Sequence, residues 1–198
     1  ARKLIDMSVE AGADGIKFQT YKAELMYSKK TPMMKHFKDR LTAKDDATMY
    51  DLIKMTELPY DMHAPIVNYC KENNIPFLST PFDIESIKLL SKMDLDFFKI
   101  PSGEITNLPY LRYMASIKKP VILSTGMATM REIKDAISVL TSSGLKKESI
   151  KVLHCSTSYP TEYEDVNLSA MLTIKNELNV EVGYSDHTNG IEIAIAAV

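Results

Sequence analysis

The sequence predicts an α/β chain of the (β/α)8 TIM-barrel class, and three observations predict it. Six short apolar runs each end in polar, chemically capable residues: Ile16-Lys17-Phe18-Gln19, Phe77-Leu78-Ser79-Thr80, Phe97-Phe98-Lys99 through Glu104, Val121-Ile122-Leu123-Ser124-Thr125-Gly126, Val152-Leu153-His154-Cys155-Ser156 and Val182-Gly183-Tyr184-Ser185-Asp186-His187. Segments of helical periodicity separate most of these runs, and no linker rich in Gly, Ser or Pro interrupts them. Strand, polar tip and helix in repetition is how such a barrel reads, with its chemistry at the C-terminal strand ends. The chain also stops at Val198 inside an apolar helical pattern without a stop signal, and Ala1 is not an initiator methionine. Six strands in such a chain fit a barrel fragment lacking its first and last strands. Periodicity alone leaves an open doubly wound sheet as the alternative.

Taken in order, residues 1–11 read as a helix, with Leu4, Ile5, Met7, Ser8 and Ala11 near helical spacing and Gly12 as its stop. Residues 14–19 form the first strand, and residues 20–50, rich in Lys, Met and Thr, are the least regular stretch. Helices follow at 46–57 and 60–73, with Asp61 read as a cap and Asn73-Asn74 as the end of the second. The rhythm then becomes regular: strand 76–80 and helix 83–93, strand 96–100 and helix 107–117, strand 120–124 and helix 129–143 stopped at Gly144. Strand 150–155 precedes a loop and a helix over 168–178, and strand 180–184 precedes a last helix from about Gly190.

Bulk composition sets the outer limits. With 198 residues and 45% hydrophobic content the chain can bury one substantial core. Lys+Arg of 24 against Asp+Glu of 26 leaves a formal charge of −2, which gives no indication of nucleic acid or an anionic membrane as partner. No apolar stretch reaches the ~18–20 residues a membrane span needs. Cys70 and Cys155 form no spaced framework and read as reduced thiols of a cytoplasmic protein.

The strand tips carry the chemistry. Lys17 and Gln19 lie two apart and share one strand face, opposite Ile16 and Phe18. An inward lysine at a barrel tip is costly unless it meets an anion, the bland alternative being a solvated edge lysine. Lys99 is followed by Ser102, Gly103 and Glu104; an ammonium, a hydroxyl and the free N–H groups of a Gly-bearing turn can hold a phosphate, and Glu104 could move a proton. Ser79-Thr80 and Ser124-Thr125 offer paired hydroxyls to the same anion, although helix capping is the plainer account of each pair. His187 is the best metal-ligand candidate, but one His cannot define a site. His36 and His63 read as solvated and His154 as a satisfied imidazole near the core. Tyr159-Pro160-Thr161 either walls a ligand pocket or shapes a turn. No Gly-rich phosphate fingerprint, paired C-x-x-C or H-E-x-x-H occurs.

In this order, Lys17-Phe18-Gln19-Thr20, Leu78-Ser79-Thr80-Pro81-Phe82-Asp83, Lys99 through Glu104, Leu123 through Met127, His154-Cys155 through Tyr159-Pro160-Thr161, and Gly183 through His187 resemble the sialic acid synthase family. That family includes N-acetylneuraminate synthase and bacterial relatives that make legionaminic and pseudaminic acids. The resemblance covers residues 1–27 and 52–198. It implies a (β/α)8 barrel that condenses phosphoenolpyruvate with the open-chain aldehyde of an N-acylated aminosugar, releasing phosphate and a nine-carbon 2-keto acid. It also implies a divalent metal, Mn2+ or Mg2+, that polarises the aldehyde. Carried over by motif, Lys17 would pair with the carboxylate of phosphoenolpyruvate, and Thr80, Lys99, Ser102, Ser124 and Ser185 would gather its phosphate. Gln19, Phe82 and Tyr159 would line the sugar site, Glu104 would be the acid/base, with Lys99 beside it in the catalytic set, and His187 would ligate the metal.

Departures accompany the match. The family's first strand, with an active-site Glu and Asn, would lie before Ala1; the last strand, with a second metal-binding His, and a C-terminal antifreeze-like domain would lie beyond Val198. Thr157 stands where some members have Asn, and residues 28–51 transfer no role. The expectation is therefore a partial synthase barrel domain over residues 1–198, cytoplasmic, homodimeric when full length, and inactive as an isolated fragment. Among sugars, N-acetylmannosamine leads; a legionaminic acid synthase using a 2,4-diacetamido-6-deoxy sugar is the runner-up. A related phosphoenolpyruvate-condensing aldolase and a non-catalytic phosphate- or sugar-binding barrel are the further alternatives.

Overall fold

The helical and strand periodicities are realised element by element in the computed structural model, which describes residues 1–34, 37 and 46–198. His36 lies outside the described residues. The chain divides into two units, Ala1–Met93 and Asp94–Val198.

In the first unit, α1 (Arg2–Glu10) ends at Ala11, after which Gly12 takes a φ of +69° that favours glycine. Strand β1 (Ile16–Thr20) pairs in parallel with β2 (Phe77–Pro81), Ile16 facing Phe77 and Gln19 facing Thr80. A parallel pair needs a long crossover, and here it contains α2 (Ala23–Met26), α3 (Met49–Thr56) and α4 (His63–Glu72). Within the stretch expected to be irregular, residues 20–50, α2 forms and an antiparallel bridge joins Pro32 to Thr48. Thr48 then opens α3 with a reciprocal capping box to Asp51. The helix expected from residue 60 starts instead as a 3-10 turn, Tyr60–Met62; Asp61 sits inside that turn and does not cap α4. Helix α5 (Ile84–Ser91) is capped by Asp83, whose Oδ1 accepts from the Ser86 N–H at 2.7 Å. Helices α4 and α5 pack on β2, and α1 packs on α4. Ile5, Ile66, Cys70, Phe77, Ile87 and Leu90 form the buried interior.

In the second unit, β3 (Phe98–Ile100), β4 (Val121–Ser124), β5 (Ile150–Cys155) and β6 (Glu181–Ser185) make one parallel sheet in chain order. Its crossovers are α6 (Leu108–Ser116), α7 (Met130–Ser142) and α8 (Ser169–Leu178), with α9 (Glu192–Ala196) after β6. Asn107 caps α6, and Thr129 caps α7 in a box with Glu132. All of β3 is buried, the pattern of a parallel strand covered on both faces. Phe98, Ile100, Leu111, Met114, Leu123, Leu140 and Val152 are at most 1% exposed, and each such side chain contributes about 1.5–3 kcal/mol on burial.

Both sheets are wholly parallel with helical crossovers, the α/β class read from the sequence. Among the described residues no helix is long and apolar enough to cross a membrane. Cys70 and Cys155 are free and buried, as their spacing led us to expect.

Candidate active site at the strand tips

In the first unit the β1–β2 pair has two distinct faces, because side chains alternate along a strand. Phe18 and Phe77 stack on one face with ring centroids 5.5 Å apart. Lys17, Gln19 and Thr80 belong to the other, and register sets Gln19 directly against Thr80. Lys17 remains open to solvent, yet desolvation by the surrounding protein lowers its ammonium pKa from the ordinary value. Thr80 is 2% exposed and its Oγ1 has no hydrogen-bond partner among the described residues. A buried hydroxyl in that state is costly unless something else completes it. Phe82 is half-buried, edge-on to Tyr21 at 6.0 Å, and its N–H donates to the Thr20 carbonyl.

Helix capping does not explain the paired hydroxyls. Asp83 and Thr129 cap the helices that follow these tips, so Ser79, Thr80 and Ser124 are released from that duty. Ser79 bonds instead to Thr20 at 2.7 Å. Nor is His63 solvated as expected: it follows the 3-10 turn before α4 and is 0% exposed, because it packs against β1, where Thr20 Oγ1 lies 2.8 Å from its Nε2.

In the second unit the tips of β3 and β4 meet directly. Lys99 is 8% exposed, and its ammonium donates to Ser124 Oγ and, at 3.1 Å, to the Ile100 carbonyl. Thr125 spends its hydroxyl on the Leu153 carbonyl at 3.0 Å, so Ser124 is the member of the pair that meets Lys99. Ser102 Oγ accepts from the Gly126 N–H at 2.9 Å and lies 3.4 Å from Cys155 Sγ. The turn expected to present free N–H groups is a 3-10 turn, Ser102–Glu104, in which the Glu104 N–H is consumed by the Pro101 carbonyl. Glu104 is half-buried, and its Oε2 accepts from Asn107 Nδ2 at 2.6 Å while Asn107 Oδ1 caps α6. One asparagine thus orients the carboxylate and starts the helix.

Ser185 ends β6 in register with Cys155. His187 Nδ1 lies 2.8 Å from the Ser156 carbonyl oxygen, which can only accept. Nδ1 therefore carries the proton and Nε2 is left as a donor atom for a metal. The Tyr159 ring packs 4.4 Å from the His187 ring. His154 is satisfied, as expected, by the Val166 carbonyl at 2.8 Å. Among the described residues no three His, Cys, Asp or Glu side chains come together to hold a metal. His187 fits as one ligand, and the described residues do not complete a metal site around it.

Sequence reasoning quoted Gly126 and Cys155 in the tip motifs but gave neither a role beside Ser102, where the structure places both. A Cβ on Gly126 would stand 2.5 Å from Thr157 Cγ2 and 3.0 Å from Ser102 Oγ, so only glycine permits this approach. A cavity of about 570 Å³ lined by Lys147, Lys175 and Glu181 opens at the opposite ends of β5 and β6 and holds none of the candidate residues.

Known proteins bear on this arrangement. The NeuB family matches residues 4–198. The chain belongs to the NeuB family. The resemblance carried by the strand tips is thereby confirmed. Two curated NeuB-family relatives are N,N'-diacetyllegionaminic acid synthases. That of Campylobacter jejuni is 46% identical over 100% of this chain and 59% of its own length. That of Legionella pneumophila is 40% identical over 100% of this chain and 56% of its own length. A solved N-acetylneuraminic acid (sialic acid) synthetase from Leptospira borgpetersenii superposes with a TM-score of 0.83 at 32% identity, covering 99% of this chain and 62% of that one. The chain thus spans somewhat over half the length of the curated relatives it matches.

Proposed function

We propose that the full-length protein condenses phosphoenolpyruvate with the aldehyde of an N-acylated aminosugar and water, giving a nonulosonic acid and inorganic phosphate. The observation that carries this reading is Lys99. It is buried at a strand tip with its ammonium against Ser124 Oγ, a cation and a hydroxyl side by side that supports a role in holding an anion where charge gathers. Ser102, Thr80 and Ser185 would add hydroxyl donors to the phosphate, and Lys17 would meet the carboxylate. C3 of phosphoenolpyruvate forms a bond to the aldehyde carbon; water adds at C2; the C2–O bond to phosphate then breaks. Glu104, oriented by Asn107, would carry the proton in these steps. Gln19, Phe82 and Tyr159 would contact the sugar.

For the sugar, the relatives favour the reading held second on the sequence. At 46% and 40% identity the legionaminic acid synthases resemble the chain more than the Leptospira sialic acid synthetase does at 32%. We therefore favour a 2,4-diacetamido-6-deoxy sugar over N-acetylmannosamine. A divalent cation, Mn2+ or Mg2+, held in part by His187, is proposed as cofactor. Two free thiols fit a reducing, cytoplasmic compartment, and a homodimer remains our expectation for the whole protein.

The test is phosphate release by the full-length protein given phosphoenolpyruvate, Mn2+ and each sugar in turn. Release dependent on the 2,4-diacetamido-6-deoxy sugar, and abolished by chelation, is the expected result. Release with N-acetylmannosamine alone would restore the first reading of the sequence. No release with either, from folded protein, would sink the proposed activity.

A further inference from the structure

Beneath the β1–β2 tips, on the face away from Lys17 and Thr80, runs a buried chain of hydrogen bonds. His63 Nδ1 lies 3.1 Å from the Pro59 carbonyl oxygen. His63 Nε2 is 2.8 Å from Thr20 Oγ1, which is 2.7 Å from Ser79 Oγ. His63 and Thr20 are 0% exposed and Ser79 is 1% exposed. A carbonyl can only accept, so Nδ1 holds the ring proton. Burial lowers the imidazole pKa from its ordinary value, which keeps Nε2 an acceptor. One order of donors remains: Thr20 donates to His63, and Ser79 donates to Thr20.

This chain joins the two strands at the residues next to the ligand face. Thr20 follows Gln19 on β1, Ser79 precedes Thr80 on β2, and Gln19 and Thr80 face each other in register. A slip of one residue would send each of these side chains to the opposite face. We propose that His63 is a positioning residue for phosphoenolpyruvate binding: through Thr20 and Ser79 it pins the two tips so that Lys17 and the Thr80 hydroxyl stay on the ligand face. This rests on the function proposed above. It assigns a role in the site to a residue on a helix behind the sheet.

The experiment compares the full-length wild type with His63→Leu and His63→Gln, using whichever sugar supports phosphate release. Leu removes the acceptor, and Gln can return an oxygen to Thr20. The expected result is a KM for phosphoenolpyruvate raised at least tenfold in His63→Leu with kcat within threefold; the KM for the aminosugar, whose Gln19 contact sits on the same tip, should rise with it. His63→Gln should bring the first back to within threefold of wild type. Nitrogen-15 NMR of the wild type should show His63 neutral with its proton on Nδ1. Should His63→Leu fail to fold, Thr20→Val breaks the same chain and should give the same split. A wild-type KM for phosphoenolpyruvate in the folded variant overturns the proposal. So does a joint fall of kcat and both affinities that Gln does not relieve, which marks a purely structural histidine. A proton found on Nε2 overturns it without reference to activity. A wild type that releases no phosphate with either sugar defeats the functional reading itself and this inference with it.

Discussion

Replacing Gly126 with alanine tests the packing of the β4 tip with a single methyl group. The added Cβ would stand 2.5 Å from Thr157 Cγ2 and 3.3 Å from Cys155 Sγ. Carbon atoms pack best at about 3.5–4.0 Å, so Thr157 must retreat by roughly 1 Å. Threonine is branched at Cβ and stiff at χ1, so the retreat falls on the backbone around it. Overpacking of this kind costs about 1–3 kcal/mol, or a fall in Tm of roughly 2–12 °C at about 2–4 °C per kcal/mol. The same displacement strains the 2.9 Å bond from the Gly126 N–H to Ser102 Oγ, so the KM for phosphoenolpyruvate should rise several-fold. Thermal denaturation and phosphate release, measured on the full-length protein, read the two effects. The decisive arm is a double-mutant cycle with Thr157→Ser, which deletes the clashing methyl. Recovery of most of the lost Tm, a coupling of about 0.5–3 kcal/mol, is expected. A Gly126→Ala protein with wild-type Tm and KM, or a cycle with no coupling, would refute the argument.

Three further outcomes follow from the same structure. Lys99→Met should abolish phosphate release by at least about 10³-fold while leaving the unfolding midpoint in urea equal or higher, since a buried ammonium is exchanged for an apolar chain of similar length; unchanged turnover would remove Lys99 from the reaction. Asp83→Ala should lower stability by about 2–4 kcal/mol in urea titrations, because Asp83 caps α5 and also accepts from the Lys22 N–H at 3.0 Å; a loss below about 0.5 kcal/mol would mean those N–H groups find other partners. Stability should also depend on pH through His63. Desolvation, aided by the nearby Lys22 charge, lowers its folded pKa, so below the unfolded value of about 6.5 the unfolded state binds more protons. Its contribution is complete above that pH and is lost as pH falls toward the folded pKa. Urea titrations at several pH values between 5 and 8 should therefore show a steeper acid-side decline in wild type than in His63→Gln, and parallel curves would contradict it.

What the sequence alone determined is what lies within a few residues of itself. The six polar-tipped runs became six parallel strands, and Gly12 and Gly144 stand at helix ends with positive φ, as a glycine stop requires. Helix and strand periods, caps and stops depend on neighbours one to four positions apart, so they can be read along the chain. The ordered tip motifs carried the family for the same reason, since Lys99 through Glu104 and Gly183 through His187 are contiguous. Only the tertiary structure decided which of these groups meet. Thr20 reaches His63 across 43 residues and Ser79 across 59, and the Lys22 N–H reaches Asp83 across 61. His63 looks like a solvated surface histidine in the sequence because the partner that its Nε2 meets, Thr20, lies 43 residues away on β1. Gly126 is one glycine among seven until Thr157 and Ser102 close on it. Such contacts depend on strand register and on the turn geometry of distant segments together, and neither is written in any local stretch of the chain.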